Sequence, residues 1–184
     1  MVSSLISLFL AVLAIAMPSR PIQVRDVDGK PWSLFAPAAN QLDLVFFLAT
    51  DCPISNRYLP EIKRTCEEYS SRGVRCFAVY PDGNDAEVIR HRQEYGVPPT
   101  IPSIVDRDRV LVRTVAPKVT PEAAIYSQAG RLYRGRIDDL YIDVGRSRRE
   151  ATRHDVRLAL DAALRGKAIA PSETEAIGCT IVEH

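Results

Sequence analysis

Hydrophobic and polar positions run along this chain in blocks whose period changes from element to element. Residues 42–49, LDLVFFLA, are mostly apolar and rich in β-formers, the pattern of a strand buried on both faces. From Ser55 the apolar positions Leu59, Ile62 and Cys66 recur at helical spacing, and the pattern stops before Gly73. VRCFAVY is a second strand of the buried type, closed by Pro81-Asp82-Gly83. DAEVIRHRQEY then predicts a polar helix, SIVDRD a short strand and RVLVRTVA a short helix. EAAIYS and RLYRGRI read as an antiparallel pair turning through Gln128-Ala129-Gly130. HDVRLALDAALRG predicts a closing helix with Val156, Leu158, Leu160, Ala163 and Leu164 on its apolar side and Gly166 as terminator. Ahead of these blocks, IQVRDVDGKPWSL predicts two short extended pieces around an Asp28-Gly29 turn. The tail, KAIAPSETEAIGCTIVEH, has no strong periodicity and is expected to be mobile or laid over the surface.

Strand–helix alternation followed by a hairpin and a last helix argues an α/β fold, a central mixed sheet flanked by helices. With 184 residues the chain has room for one domain with a sizeable core. A formal net charge of +1 gives no reason to expect nucleic acid or an acidic membrane as partner. The arginine-rich stretch RLYRGRIDDLYIDVGRSRRE interleaves Asp138, Asp139 and Asp143, and so reads as a salt-linked surface. His91, His154 and His184 have no ligand spacing with each other or with a cysteine pair, so neither a metal site nor another cofactor is expected.

One block bears on location. Leu5 to Met17 is an uncharged apolar run of 13 residues, too short for an ordinary transmembrane helix and ending in the small-x-small triplet Ala14-Ile15-Ala16. We read residues 1–16 as a cleaved signal peptide, 17–168 as the folded domain and 169–184 as a tail carrying Cys179. The expected location is secreted or periplasmic, with membrane anchoring if the segment stays uncleaved. In such an oxidising space Cys52, Cys66, Cys76 and Cys179 can be disulfides or redox thiols. Cys66 on the helix face and Cys76 in the next strand read first as core packing, with a mutual disulfide as the alternative.

Three motifs add a family likeness over roughly residues 21–165. Cys52-Pro53-Ile54-Ser55 stands at a strand–helix junction, Pro60 follows Ser55 by five positions, and Val119-Thr120-Pro121 opens a later strand. In this order the chain resembles the thioredoxin-like superfamily. Within it the likeness is to the redoxin group: alkyl-hydroperoxide-reductase/thiol-specific-antioxidant proteins and secreted thiol–disulfide reductases. The resemblance implies a thioredoxin-like fold with an N-terminal β-hairpin extension, to which DVDGKPWSL corresponds. It makes Cys52 the first cysteine of a Cys-x-x-Cys motif and Thr120-Pro121 the cis-proline loop facing it. The chain departs from the pattern in several places. Ser55 replaces the second motif cysteine, Asp51 stands where the reductases have Trp, and Tyr58 where some have Glu. The peroxidase pattern Pro-x-x-x-Thr-x-x-Cys meets Val45 and Ala49, with Thr50 one place late, and copper-delivering relatives have a second motif cysteine that is missing here.

The chemistry the likeness implies is that of a thiolate, the reactive form of a thiol whose free pKa is about 8.5. A position before a helix favours the anion through free N–H groups and the helix dipole; Asp51 opposes it, and Arg57 assists. Ser55 can donate a hydrogen bond to the thiolate but cannot resolve a mixed disulfide. Several redoxins bring a tail cysteine onto the active thiol, which makes Cys179 the candidate resolver. The expected function is an extracytoplasmic thiol–disulfide oxidoreductase acting on protein thiols or disulfides, with a thiol electron donor. The alternatives are a thiol peroxidase in which peroxide oxidises Cys52 to sulfenic acid, and a non-catalytic binding module in which Cys52 is inert.

Overall fold

The computed structural model describes residues 20–182. The segment read as a signal peptide, together with His184, lies outside the described residues. In chain order the elements are β1 (Ile22–Arg25), β2 (Pro31–Leu34), β3 (Leu42–Phe47), α1 (Pro53–Ser70), β4 (Val74–Tyr80) and α2 (Asp85–Glu94). Then come β5 (Ser103–Val105), α3 (Val110–Val115), β6 (Val119–Thr120), β7 (Glu122–Ser127) and β8 (Gly130–Gly135). The chain closes with β9 (Tyr141–Asp143), β10 (Arg146–Ser147), α4 (Asp155–Leu164) and β11 (Cys179–Thr180).

The central sheet has the order β5-β4-β3-β7-β8. Strands β3, β4 and β5 run parallel, while β7 is antiparallel to β3 and β8 to β7, so the sheet is mixed as expected. Every residue of β3 is buried, as its sequence predicts for a strand covered on both faces. Alternation then divides the core in two. Leu44, Phe46 and Leu48 pack with Tyr58, Leu59 and Ile62 of α1, Val88 of α2 and Val156, Ala159 and Leu160 of α4. Val45 and Phe47 pack instead with Phe77, Val79, Leu111 and Val115, and with Leu34, Phe35 and Trp32 from the β1–β2 hairpin. The hairpin extension is thus the cover of a sheet face that three of the four helices leave to it and to α3.

One reading needs correction, and one buried charge needs an account. In α4 the buried face is Val156, Ala159 and Leu160, the i, i+3, i+4 set, while Leu158 is 51% exposed. In β3, Asp43 is fully buried among the apolar residues. It accepts hydrogen bonds from Arg75 at 2.7 Å and from the Phe35 N–H at 2.9 Å. Burial pushes its carboxyl up, and the Arg75 charge opposes that shift.

The arginine-rich stretch is salt-linked. Arg136 and Arg153 both hold Asp155 at the start of α4, at 2.7 and 2.6 Å. Burial would raise the Asp139 carboxyl, but the Thr152 hydroxyl, the Arg153 and Thr152 N–H groups and Arg148 hold it at about 2. The tail is laid over the surface. The Arg134 N–H donates to the Ser172 carbonyl at 3.0 Å, and the Thr174 N–H to the Arg134 carbonyl at 3.1 Å. Gly135 permits this approach: its φ is +146°, and a Cβ there would lie 2.2 Å from the Thr174 carbonyl oxygen.

Candidate active site

Strand β3 ends one turn short of a proline, and that decides where the cysteine sits. Pro53 occupies the first position of α1, where its missing N–H costs nothing and its φ suits a helix. Cys52 therefore becomes the N-cap, with extended backbone angles of −83° and 112°. The Ser55 N–H, free of any intrahelical partner, points at the Cys52 sulfur from 3.5 Å. The helix thus begins two residues before the apolar periodicity does.

Facing this cap is the β6–β7 junction, where the Thr120-Pro121 peptide bond is cis. The Thr120 carbonyl oxygen lies 3.1 Å from Cys52 Sγ. Strand β11 pairs antiparallel with β6 in the register Cys179↔Thr120 and Thr180↔Val119. That register delivers Cys179 to Cys52, and the two form a disulfide across 127 positions with a Cα–Cα distance of 6.1 Å. Beyond it the Ile181 N–H donates to the Lys118 carbonyl at 3.1 Å, and Arg109 donates to the Val182 carbonyl at 2.7 Å. Glu122 fixes the opposite side of β6 by accepting the Lys118 N–H at 2.7 Å. Burial raises the Glu122 carboxyl, and the Lys118 and Val119 N–H groups with Arg134 pull against that.

The residues named from sequence divide into those brought to the sulfur and those not. Cys52, Ser55, Thr120, Pro121 and Cys179 converge. Ser55 is fully buried and its Oγ accepts the Ala49 N–H at 3.4 Å, tying the helix start to the strand end. Asp51 and Arg57 are exposed. Arg57 lines a cleft with Tyr58, Asp138 and His154. Tyr58 donates to Asp138 at 2.6 Å in that buried wall. Cys66 and Cys76 are bonded to each other as well as buried, which corrects the first reading of simple packing. Helix α1 packs directly on β4, and this adjacency brings the two sulfurs together.

One group near the site escaped the sequence reading. His91 is 4% exposed, and its Nε2 lies 2.7 Å from Asn56 Oδ1. Asn56 Nδ2 donates to the Thr50 carbonyl at 3.2 Å, so its Oδ1 accepts and His91 Nε2 carries the proton. Nδ1 then accepts the Tyr80 hydroxyl at 3.2 Å. Burial keeps the His91 pKa low against the pull of Glu94, which favours the neutral imidazole that serves the chain Tyr80–His91–Asn56–Thr50 in this way. That chain ends two residues before Cys52. Asn56 and His91 are 35 positions apart in polar surroundings, so no spacing signals the contact.

No protein-family model matches the chain, and no curated protein does. Solved structures do. An uncharacterized conserved protein from Geobacillus kaustophilus superposes with a TM-score of 0.78 at 22% identity, covering 91% of each chain. A putative thioredoxin from Neisseria meningitidis gives 0.61 at 19% identity, over 79% of this chain and 89% of that one. The chain has the thioredoxin-like fold. A secreted Mycobacterium tuberculosis disulfide oxidoreductase homologous to Escherichia coli DsbE gives 0.51 at 14% identity, over 59% and 78% of the two chains. Both the fold and the β-hairpin extension expected from the redoxin likeness are thus borne out.

Proposed function

We propose that this thioredoxin-like protein is an extracytoplasmic thiol–disulfide oxidoreductase whose nucleophile is Cys52 and whose second thiol is Cys179. The observation that carries the reading is the Cys52–Cys179 disulfide at the N-cap of α1, beside the cis Thr120-Pro121 loop. In the reduced protein the Cys52 thiolate faces the Ser55 N–H and the positive end of the α1 dipole, both of which favour the anion. It attacks one sulfur of a substrate disulfide. The new Cys52–substrate bond forms, and the other substrate sulfur leaves as a thiolate that takes a proton from water. The Cys179 thiolate then attacks Cys52 Sγ, and the second substrate sulfur leaves. Two electrons have passed to the substrate, and an external dithiol reduces the Cys52–Cys179 disulfide for the next turn. Ser55 cannot perform the second step, because a hydroxyl oxygen does not resolve a disulfide. Secretion is supported by the apolar segment ending in Ala14-Ile15-Ala16 and by the secreted structural neighbour.

The test is reduction of a model disulfide substrate, insulin, with dithiothreitol as donor. Cys52→Ser should abolish the rate, and Cys179→Ser should accumulate a mixed disulfide through Cys52. Full activity in Cys52→Ser would end this reading. Hydrogen peroxide consumption that outpaces insulin reduction would assign the same thiol to a peroxidase instead.

A further inference from the structure

Strand β11 is a peptide seen carrying a sulfur to Cys52, and its geometry specifies what such a peptide must look like. The residue before its cysteine is Gly178. A Cβ at that position would lie 2.2 Å from the Thr120 carbonyl oxygen, 2.7 Å from the Thr120 carbonyl carbon and 3.2 Å from the Pro121 nitrogen. All three are backbone atoms of the cis-proline loop, so no side-chain rotation relieves the contact. Gly178 is not among the glycines with positive φ, so the space, rather than the backbone angle, is what excludes a side chain. The same Thr120 oxygen stands 3.1 Å from Cys52 Sγ. The wall that a Cβ would strike therefore also borders the reacting sulfur.

We propose that the protein selects its peptide substrates by the residue preceding the reactive cysteine. The preferred substrate is an extended segment carrying Gly-Cys, which lies antiparallel on β6 in the register that Gly178-Cys179 occupies. This inference rests on the oxidoreductase reading, because it concerns the strand that forms the mixed disulfide. A segment with any larger residue before its cysteine must lift off the β6 edge to bring its sulfur within bonding distance. It then loses the two-residue pairing that the tail makes with Thr120 and Val119. The tail is accordingly a competitor for the same edge, and an incoming strand binds once reduction has freed Cys179.

The experiment uses the reduced full chain carrying Cys179→Ser, so that the tail cannot resolve the product. The probes are the peptides Ile-Gly-Cys-Thr-Ile and Ile-Ala-Cys-Thr-Ile, each activated as the 2-thiopyridyl disulfide. The Cys52 thiolate attacks the peptide sulfur, the Cys52–peptide bond forms, and 2-thiopyridone leaves with the electron pair and takes up a proton. Its absorbance gives the rate, and each rate is divided by that of glutathione with the same peptide. Any competition from the serine-bearing tail applies equally to both peptides. We expect the glycine peptide to react faster by about tenfold or more, the effect of forcing a methyl into a filled backbone contact. Equal normalised rates would overturn the selectivity while leaving the oxidoreductase reading in place. Rates no faster than glutathione with either peptide would overturn both.

Discussion

At the scale of single residues, the proposed chemistry turns on Ser55. It occupies the third helical position, its N–H faces Cys52 Sγ at 3.5 Å, and its side chain is fully buried. A sulfur at this position has the location from which a neighbouring thiol attacks, so the serine is what leaves Cys52 available to the tail. Ser55→Cys should therefore divert the oxidised protein toward a disulfide between Cys52 and the introduced thiol, leaving Cys179 free to alkylation. Non-reducing peptide mapping reads the two pairings directly, and an unchanged Cys52–Cys179 bond in the variant would refute the argument. The serine also has a structural part, since its Oγ accepts the Ala49 N–H. A thiol replaces that acceptor poorly, so with the disulfides of both proteins reduced the same variant should lose about 1 kcal/mol in urea unfolding.

At the scale of elements, α2 contributes to the site through one side chain. His91 must be neutral to accept from Tyr80 and donate to Asn56, and burial lowers its pKa below the ordinary 6.5. The unfolded chain then binds more protons than the folded one at mildly acidic pH. The stability this group contributes is fully present above 6.5 and is lost as the pH falls from there through the lowered folded value. His91→Gln should remove that portion of the pH dependence in urea unfolding, at a cost of about 1–3 kcal/mol at neutral pH from the broken network. An identical pH slope in the variant would show that the histidine does not titrate in this way. Elements differ in how far they could be read in advance. Strand β3 was legible because burial on both faces demands a continuous apolar run, helix α1 because burial of one face imposes a helical period, and the hairpin β7–β8 because its turn carries a glycine. The β6–β11 pairing was not, since each strand has two residues and the partners are 59 positions apart in the register Cys179↔Thr120. Likewise β9–β10 lies in a stretch whose sequence registers only as charge. Cys179 as a partner for Cys52 followed from the family likeness and from the serine in the motif, and no periodicity pointed to it.

At the scale of the whole molecule, the two disulfides constrain very different lengths of chain. The Cys52–Cys179 bond spans 127 positions and the Cys66–Cys76 bond 10. Loop-closure entropy alone makes the first worth about 5 kcal/mol and the second about 3 kcal/mol. Cys179→Ser should accordingly lower the unfolding free energy of the oxidised protein by several kcal/mol, and hydrogen exchange should quicken across residues 172–182 (about 2–5 kcal/mol is the usual cost of a lost native disulfide). Exchange unaltered in that segment would mean that its hydrogen bonds to Arg134 and Lys118 hold it without the sulfur. The two bonds also share a helix. Cys52 caps the start of α1 and Cys66 lies near its end, about 21 Å along the axis at the ordinary helical rise. The rod that presents the proposed nucleophile is thus riveted at its far end to β4, a tie that stays when the near bond opens. In the proposed redox cycle the part left to travel is the light partner, a strand of a few residues, while the anvil against which sulfur meets sulfur remains fastened to the sheet.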